Sequence, residues 1–289
     1  MDKLAARAPA KINLTLRVTA RRTDGFHELV SLVAFAGAAD LLTLEPDQSL
    51  ALEVAGPMAG AAGPDVDNLV LRAAEAFARL VPGTRLGRFR LVKRLPVAAG
   101  LGGGSSDAAA ALRLLARLNG LEGDDPRLFS AAAHCGADVP VCVDPRARLM
   151  GGVGERLSAP LELPRLAAVL VNCRVSVPTA DVFRALALRA GEELPGPTHP
   201  MDVPQQMGEL IALLSTLPND LEPPAKVIAP QIGRVMDLLA EQPEALLVRM
   251  SGSGATVFAL VQDCHAAAAL ARRMAAAQPE WWVRPTILR

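Results

Sequence analysis

The segment Leu95-Pro96-Val97-Ala98-Ala99-Gly100-Leu101-Gly102-Gly103-Gly104-Ser105-Ser106-Asp107 constrains this chain more than any other. An extended approach ending at Pro96 meets four glycines and two hydroxyls, which run straight into an alanine-rich stretch, Ala108 to Leu118, that stops at Asn119-Gly120. Glycine adopts positive φ freely and lets backbone come close to a bulky group. Successive amide N–H groups and the start of the following helix can then face one anion. Such a loop can hold a di- or triphosphate without a basic patch. It is not a Walker loop, since no Gly-Lys-Ser/Thr follows, and it is not a GxGxxG turn opening a βαβ unit. The plain alternative is a flexible connector whose helix is capped by Ser105 or Ser106.

Composition sets the limits around this loop. Among 289 residues, 30 Lys+Arg balance 30 Asp+Glu, so no basic excess marks a binder of nucleic acid or of an anionic membrane. Aromatics are only 3%, with seven Phe, two Trp and no Tyr, so cores must be built from Ala, Leu and Val and few rings exist for base stacking. An apolar share of 51% with 21% charged fits a soluble, compact protein, and the length fits two domains or one large one. Asp2, Lys3, Arg7 and Lys11 interrupt the first 16 residues, which excludes a secretory signal there, and no run reaches the roughly 18 apolar residues of a membrane span. Cys135, Cys142, Cys173 and Cys264 form no metal spacing and are expected as buried thiols in a reducing cytoplasm. His27, His134, His199 and His265 likewise form no metal motif. Nothing in the sequence fixes an oligomeric state.

Periodicity places the elements. Ile12, Leu14, Leu16 and Val18 alternate with Lys11, Asn13, Thr15 and Arg17, which predicts a strand with one buried face and with Lys11 and Asn13 on the other. Strands are also expected at Leu29–Phe35, Leu41–Leu44 and Phe89–Val92. A helix over Asn68–Leu80 should be capped by Asp67, a second should start at Ser105–Asp107, and a third should run from Pro126 to Gly136. After Gly154 come a buried strand at Leu166–Val171, a short helix holding Phe183, an exposed loop from Gly191 to Pro204, and helices around Met207–Leu217 and Ile228–Leu239. Strands at Leu246–Met250 and Thr256–Val261 flank Ser251-Gly252-Ser253-Gly254, ahead of a helix at Ala266–Ala277 and a last strand at Trp282–Leu288. Strands and helices without strict alternation predict two α+β domains parting near residue 155.

Two further segments carry reactive groups. Lys11 lies in Pro9-Ala10-Lys11-Ile12-Asn13-Leu14, and Asp138 in the turn Gly136-Ala137-Asp138-Val139-Pro140. Alone, each has a bland reading as strand face or turn chemistry. With a phosphate cradle they supply the parts that phosphoryl transfer to an alcohol needs, provided they meet in space: charge neutralisation, a proton acceptor and a positioned donor.

Together these segments resemble the GHMP kinase superfamily of galactose, homoserine, mevalonate and phosphomevalonate kinases. Pro96 to Ser106 matches its ATP loop apart from Ala98 and Ala99, where a glycine is common. The resemblance is closest to the members that phosphorylate a cytidyl diphosphate alcohol on the non-mevalonate isoprenoid route. It rests also on Arg21-Arg22-Thr23-Asp24-Gly25-Phe26-His27-Glu28-Leu29, Val175-Ser176-Val177-Pro178-Thr179, Asn219-Asp220-Leu221-Glu222 and Ser251-Gly252-Ser253-Gly254-Ala255. It implies a two-domain α+β GHMP kinase fold, with an N-terminal ribosomal-protein-S5-like α/β domain over residues 1–155 and a C-terminal ferredoxin-like α+β domain over 156–289.

The resemblance further implies that ATP lies on Pro96, Val97, Ala98, Ala99, Gly100, Leu101, Gly102, Gly103, Gly104, Ser105 and Ser106, with Mg²⁺ on its phosphates and Ser106 as a candidate contact to metal or β-phosphate. Asp138 would take the proton of a tertiary 2-hydroxyl and Lys11 would stabilise the alkoxide. Asn13 and Thr179 would contact the substrate, Phe26 (usually Tyr in the family) and Phe183 would clamp cytosine, and His27 would hydrogen-bond it. Core roles remain the plain alternative for the two phenylalanines. The Ser251–Gly254 loop would either close over phosphate or form a tight turn. The functional alternatives are another small-alcohol kinase of this fold, or a nucleotide-binding protein without the chemistry.

Overall fold

The structure, a computed structural model, describes residues 3–61 and 68–289. In chain order the strands are β1 (Leu4–Asn13), β2 (Arg17–Arg21), β3 (His27–Pro46), β4 (Ala51–Ala55), β5 (Gly87–Val92), β6 (Arg148–Gly152), β7 (Arg156–Leu157), β8 (Leu166–Asn172), β9 (Ala245–Met250), β10 (Thr256–Val261) and β11 (Trp282–Leu288). The helices are α1 (Leu69–Leu80), α2 (Gly103–Asn119), α3 (Pro126–Cys135), α4 (Val139–Val143), α5 (Thr179–Ala185), α6 (Met207–Thr216), α7 (Glu222–Ile228), α8 (Gln231–Ala240) and α9 (Cys264–Ala277). They form two compact units, neither contiguous in sequence. One takes the described residues of Met1–Lys11, Ala38–Val97 and Gly102–Pro145, and the other takes Ile12–Gly37, Ala98–Leu101 and Arg146–Arg289.

In the first unit the C-terminal half of β3 pairs antiparallel with β5, Leu41 opposite Val92 and Pro46 opposite Gly87, and β4 runs parallel to β5. Helices α1 to α4 pack on one another. Helix α2 buries Ala108, Ala109, Ala110, Ala111, Leu112, Leu114 and Leu115, so it is apolar almost all round and central to this unit. Alanine on so many sides suits that place, because a small side chain lets neighbouring helices come close. Asn68 caps α1, its Oδ1 accepting from the Val70 N–H at 3.0 Å; Asp67, the expected cap, lies outside the described residues. Helix α2 starts two residues earlier than the hydroxyls suggested. Its N-cap is Gly102 in the left-handed region, which has no side chain to cap it, and Ser106, inside the helix, donates to the Pro9 carbonyl at 2.5 Å.

In the second unit β8 is the centre of an antiparallel sheet ordered β11–β8–β10–β9. The N-terminal half of β3 pairs with β2 and β6. The core joins Val169, Val171, Val257 and Ala259 to Ile232 and Val235 of α8 and Leu270 and Met274 of α9. The helix expected around Ile228–Leu239 is α8, which starts at Gln231 just after Pro230, and a further helix, α7, ends at Ile228 ahead of it.

Three expectations change. The predicted strand from Lys11 to Val18 breaks after Asn13, where the Thr15 hydroxyl accepts from the Leu32 N–H at 2.9 Å, and resumes as β2. Its polar face is not solvated: Lys11, Asn13, Thr15 and Arg17 are all buried, each satisfied by a partner. The expected strands Leu29–Phe35 and Leu41–Leu44 are one strand, β3. Gly37 within it marks a close approach, since a Cβ there would lie 3.2 Å from Thr286 Oγ1. Of the cysteines, Cys135 and Cys142 are buried, whereas Cys173 is half-buried and Cys264 exposed. The Gly191–Pro204 loop is largely exposed but is pinned by His199, whose Nε2 meets Thr15 Oγ1 at 2.9 Å.

Ala98 has φ +50, a left-handed conformation that costs a non-glycine residue about 1–2 kcal/mol. Ala98→Gly is therefore expected to raise the free energy of urea unfolding by roughly 0.5 kcal/mol, after about 0.5–1 kcal/mol of glycine entropy is set against the relieved strain. Ala99→Gly, at a buried site without that strain, should lower it by about 1 kcal/mol. Equal changes in the two variants would contradict this account of the loop.

Candidate active site

Lys11 and Asp138 meet in the first unit. Lys11 is the eighth residue of β1, its side chain is 4% exposed, and its Nζ lies 2.9 Å from Asp138 Oδ2. Asp138 holds the N-cap position of α4 but does not cap it, so its carboxylate, 43% exposed, is committed to the lysine on one side and open on the other. Arg113 of α2 braces this pairing: it donates to the Cys142 carbonyl at the end of α4 (2.6 Å) and to the Arg7 carbonyl on β1 (2.7 Å). Beside the pair, burial pushes the Cys142 thiol up to about 11, so it stays neutral.

The start of α2 adjoins the lysine. A Cβ on Gly102, which has φ +58, would lie 3.2 Å from Lys11 Cβ and 3.3 Å from its Cε, so only glycine lets this backbone rest against the lysine stem. With no side chain capping α2, its first-turn N–H groups keep the anion-facing character of an uncapped helix start. A buried triad lies below: Lys93 Nζ donates to Asp40 Oδ2 and to Asp107 Oδ2, each at 2.6 Å. Burial, helped by the Asp40 charge and opposed by Lys93, pushes Asp107 up to about 7. For Lys93, burial works downward, but the charges of Asp107 and Asp40 outweigh it and its pKa is raised. In sequence, Asp40 lies outside every motif and Asp107 marks only the end of the loop segment and the start of a helix, because nothing near either residue signals a partner 53 or 14 positions away.

In the second unit the Ser251–Gly254 segment is a tight turn between β9 and β10, closed by Gly254 N–H to Ser251 carbonyl at 3.0 Å. It also organises its surroundings. Ser251 Oγ accepts from the Asn13 N–H (3.1 Å) and donates to the Gly100 carbonyl (2.9 Å), and a Cβ on Gly100 would fall 2.2 Å from the Ser251 carbonyl oxygen. Asn13 Nδ2 is taken by Ser31 Oγ at 2.7 Å. Asn219 holds the turn from behind, donating to the carbonyls of Met250 and Gly252 at 2.8 Å each, and its neighbour Asp220 pairs with Arg17. The Asn219–Glu222 motif therefore supports the turn.

A cavity of about 560 Å³ in the same unit is lined by Phe26, His27, Thr179 and Phe183, with Arg21 and Arg184 at its edge. Phe26 is 62% exposed on a turn set by Gly25, with φ +90, and by Asp24 Oδ1 accepting from the Phe26 N–H. The ring that meets Phe183 is His27, at a centroid distance of 4.8 Å and a tilt of 31°. His27 Nε2 is buried with no protein partner, and burial together with the Arg21 charge lowers the imidazole pKa, favouring the neutral ring. A neutral imidazole with a nitrogen unused by the protein, in a residue that lines the cavity, suits recognition of a polar heteroaromatic ring. Thr179 Oγ1 is 2.8 Å from Ser253 Oγ.

For a divalent metal the residues offer little: among the described residues no three His, Cys, Asp or Glu side chains cluster, and Ser106 is fully buried with its hydroxyl on the Pro9 carbonyl.

Comparison with known proteins identifies the family. Residues 68–145 match the model of the GHMP kinases N terminal domain, and 203–280 that of the GHMP kinases C terminal. A protein of Xanthobacter autotrophicus named 4-diphosphocytidyl-2-C-methyl-D-erythritol kinase is 71% identical over the full length of both chains. A crystal structure of 4-(cytidine 5'-diphospho)-2C-methyl-D-erythritol kinase aligns with a TM-score of 0.76 and 38% identity over 98% of this chain and 99% of that one. Homoserine kinase from Cytophaga hutchinsonii shares the fold, with a TM-score of 0.70 at 19% identity over 99% of this chain and 94% of that one. The fold and its two matched halves define a GHMP kinase. The chain belongs, within that class, to the 4-diphosphocytidyl-2-C-methyl-D-erythritol kinase family.

Asp107 gives a pH signature. A carboxyl whose folded pKa lies above its unfolded value contributes stability that is complete below the unfolded pKa, near 4, and is lost as pH rises through the folded one, about 7. The stability of the native chain minus that of Asp107→Asn, read from urea unfolding, should therefore fall between about pH 4 and pH 8. A difference that stays flat or rises over that range would contradict the assignment.

Proposed function

We propose that this chain transfers the γ-phosphoryl group of ATP to the 2-hydroxyl of 4-diphosphocytidyl-2-C-methyl-D-erythritol, giving the 2-phosphate and ADP, in the non-mevalonate route to isoprenoid precursors. The observation that carries the reading is the 2.9 Å pair of a buried Lys11 with a half-open Asp138 beside an uncapped glycine-loop helix, in a chain of this family. Asp138 accepts the hydroxyl proton as the alkoxide oxygen attacks the γ-phosphorus. The bond from phosphorus to the β,γ-bridging oxygen breaks, and its electron pair leaves with ADP. Lys11 offsets negative charge on the nucleophile and the moving phosphoryl, and most of the acceleration comes from positioning and preset charge.

Residues 96–106 hold the nucleotide, with the loop's free backbone N–H groups facing its phosphates, and Mg²⁺ would come with the phosphates and offset their charge. His27 hydrogen-bonds cytosine, Phe183 and Phe26 bound its faces, and Thr179 and Asn13 complete the substrate contacts. A division of the family's domains at residues 1–155 and 156–289 is supported by one family model lying in each part, although the two compact units exchange residues 12–37 and 98–101 across that boundary.

Purified protein with ATP, Mg²⁺ and the cytidyl substrate should release ADP; turnover of homoserine or mevalonate in its place would overturn the substrate assignment. Asp138→Asn should lower kcat by about 10³-fold or more while ADP affinity changes less than about threefold, and an unaffected rate would refute the base assignment. Phe183→Ala and Phe26→Ala should each raise KM for the cytidyl substrate by about tenfold with KM for ATP unchanged, as expected for a lost stacking face. Unchanged values would return both rings to a packing role.

A further inference from the structure

The glycine loop is held at both ends by one buried ammonium. Lys93 directly follows β5, and its side chain is 5% exposed. It donates to Asp40 on β3 and to Asp107 in the first turns of α2. The second oxygen of Asp40 accepts the N–H groups of Arg94 and, at 2.8 Å, Leu95, the residues that lead into the loop. A Cβ on Gly103 would lie 3.2 Å from Lys93 Nζ, so the ammonium sits against the first residue of α2. One carboxylate thus fixes the approach to the loop, the other belongs to the helix that leaves it, and Lys93 joins the two.

This cluster is costly to bury. Two carboxylates share one ammonium, and Asp107 Oδ1 is buried with no hydrogen-bond partner. Apolar residues of similar volume would fill the same space without desolvated charge, so stability alone does not account for the cluster. A fixed geometry does: a loop whose two ends are tied presents its amides in one arrangement and loses little freedom when an anion arrives.

We propose that Lys93, Asp40 and Asp107 are positioning residues for the nucleotide, holding the ends of the glycine loop so that its amide cradle is preset for polyphosphate. The proposal rests on the assignment of ATP to that loop. The three act through the backbone at residues 94–95 and 103–107, so their removal acts on nucleotide affinity and leaves the cytidyl substrate and the chemical step largely untouched.

The test measures ADP binding by calorimetry, and kcat and both KM values, for the native chain, Lys93→Met and Asp107→Asn. Lys93→Met should weaken ADP binding and raise KM for ATP by about tenfold, with kcat at saturating ATP and KM for the cytidyl substrate within about threefold. Asp107→Asn keeps an oxygen for Lys93 and should lose less than Lys93→Met. Hydrogen exchange in the free protein should be faster at residues 97–106 of Lys93→Met than in the native chain. If Lys93→Met does not fold, Asp107→Leu, which cuts the same tie and leaves Lys93 with Asp40, is read by the same criteria. A fall in kcat with both KM values unchanged, or ADP affinity equal to the native chain, would overturn the positioning role. A native chain that binds no ADP would overturn the assignment of ATP to the loop instead.

Discussion

The backbone between Pro96 and Ser106 is the constraint on which the rest depends. Gly100, at φ +71, has the Ser251 carbonyl where a Cβ would be; Gly102, at φ +58, has the Lys11 stem; Gly103 has the Lys93 ammonium. Gly100 and Gly102 are each required by positive φ and a different close neighbour, so this part of the run is a set of close approaches that leaves its amides oriented. Helix α2 begins on a glycine and so has no side-chain cap, and Ser106, one turn into the helix, is spent on β1.

Charge is handled in the same economical way. The chain has no net charge, yet Lys11, Arg17, Lys93 and Arg249 are buried, and each meets a carboxylate or a backbone carbonyl. Lys11, Arg17 and Lys93 are each paired with carboxylates, so the anion-facing character of the loop comes from its backbone amides and the start of α2, and a phosphate-rich ligand does not require the electrostatic footprint of a nucleic-acid binder. The scarcity of aromatic residues has a parallel outcome. With no tyrosine, the cavity near Phe183 is walled by Phe26 and His27, and the imidazole supplies both a ring face and a polar nitrogen.

Much of the fold was legible because its signals are local. The last strand at Trp282–Leu288, the apolar run of Leu166–Val171 and the stops at Gly120 and Gly136 all fall within a residue or two of the observed elements. What was not legible depends on tertiary partners. The polar face of Lys11–Arg17 carries the alternation of a solvated strand, but Asp138, Ser31, His199 and Asp220, up to 203 positions away, take it inside. Gly37 gives the same letter whether a strand ends or another strand presses on it. In the site, motifs singled out Lys11 and Asp138, whereas Asp40 lay outside every motif and Lys93 and Asp107 were bare flanks of one. Their role arises only when β3, β5 and α2 come together.

The central claim is that this chain places a phosphate on one hydroxyl of a cytidyl diphosphate alcohol. Phosphorus NMR of the product formed from ATP and 4-diphosphocytidyl-2-C-methyl-D-erythritol tests it directly. The account predicts a new phosphomonoester on the tertiary 2-carbon beside an intact diphosphate and a matching amount of ADP. A phosphate on another hydroxyl, a cleaved diphosphate, or ADP formed without any new phosphomonoester would contradict it.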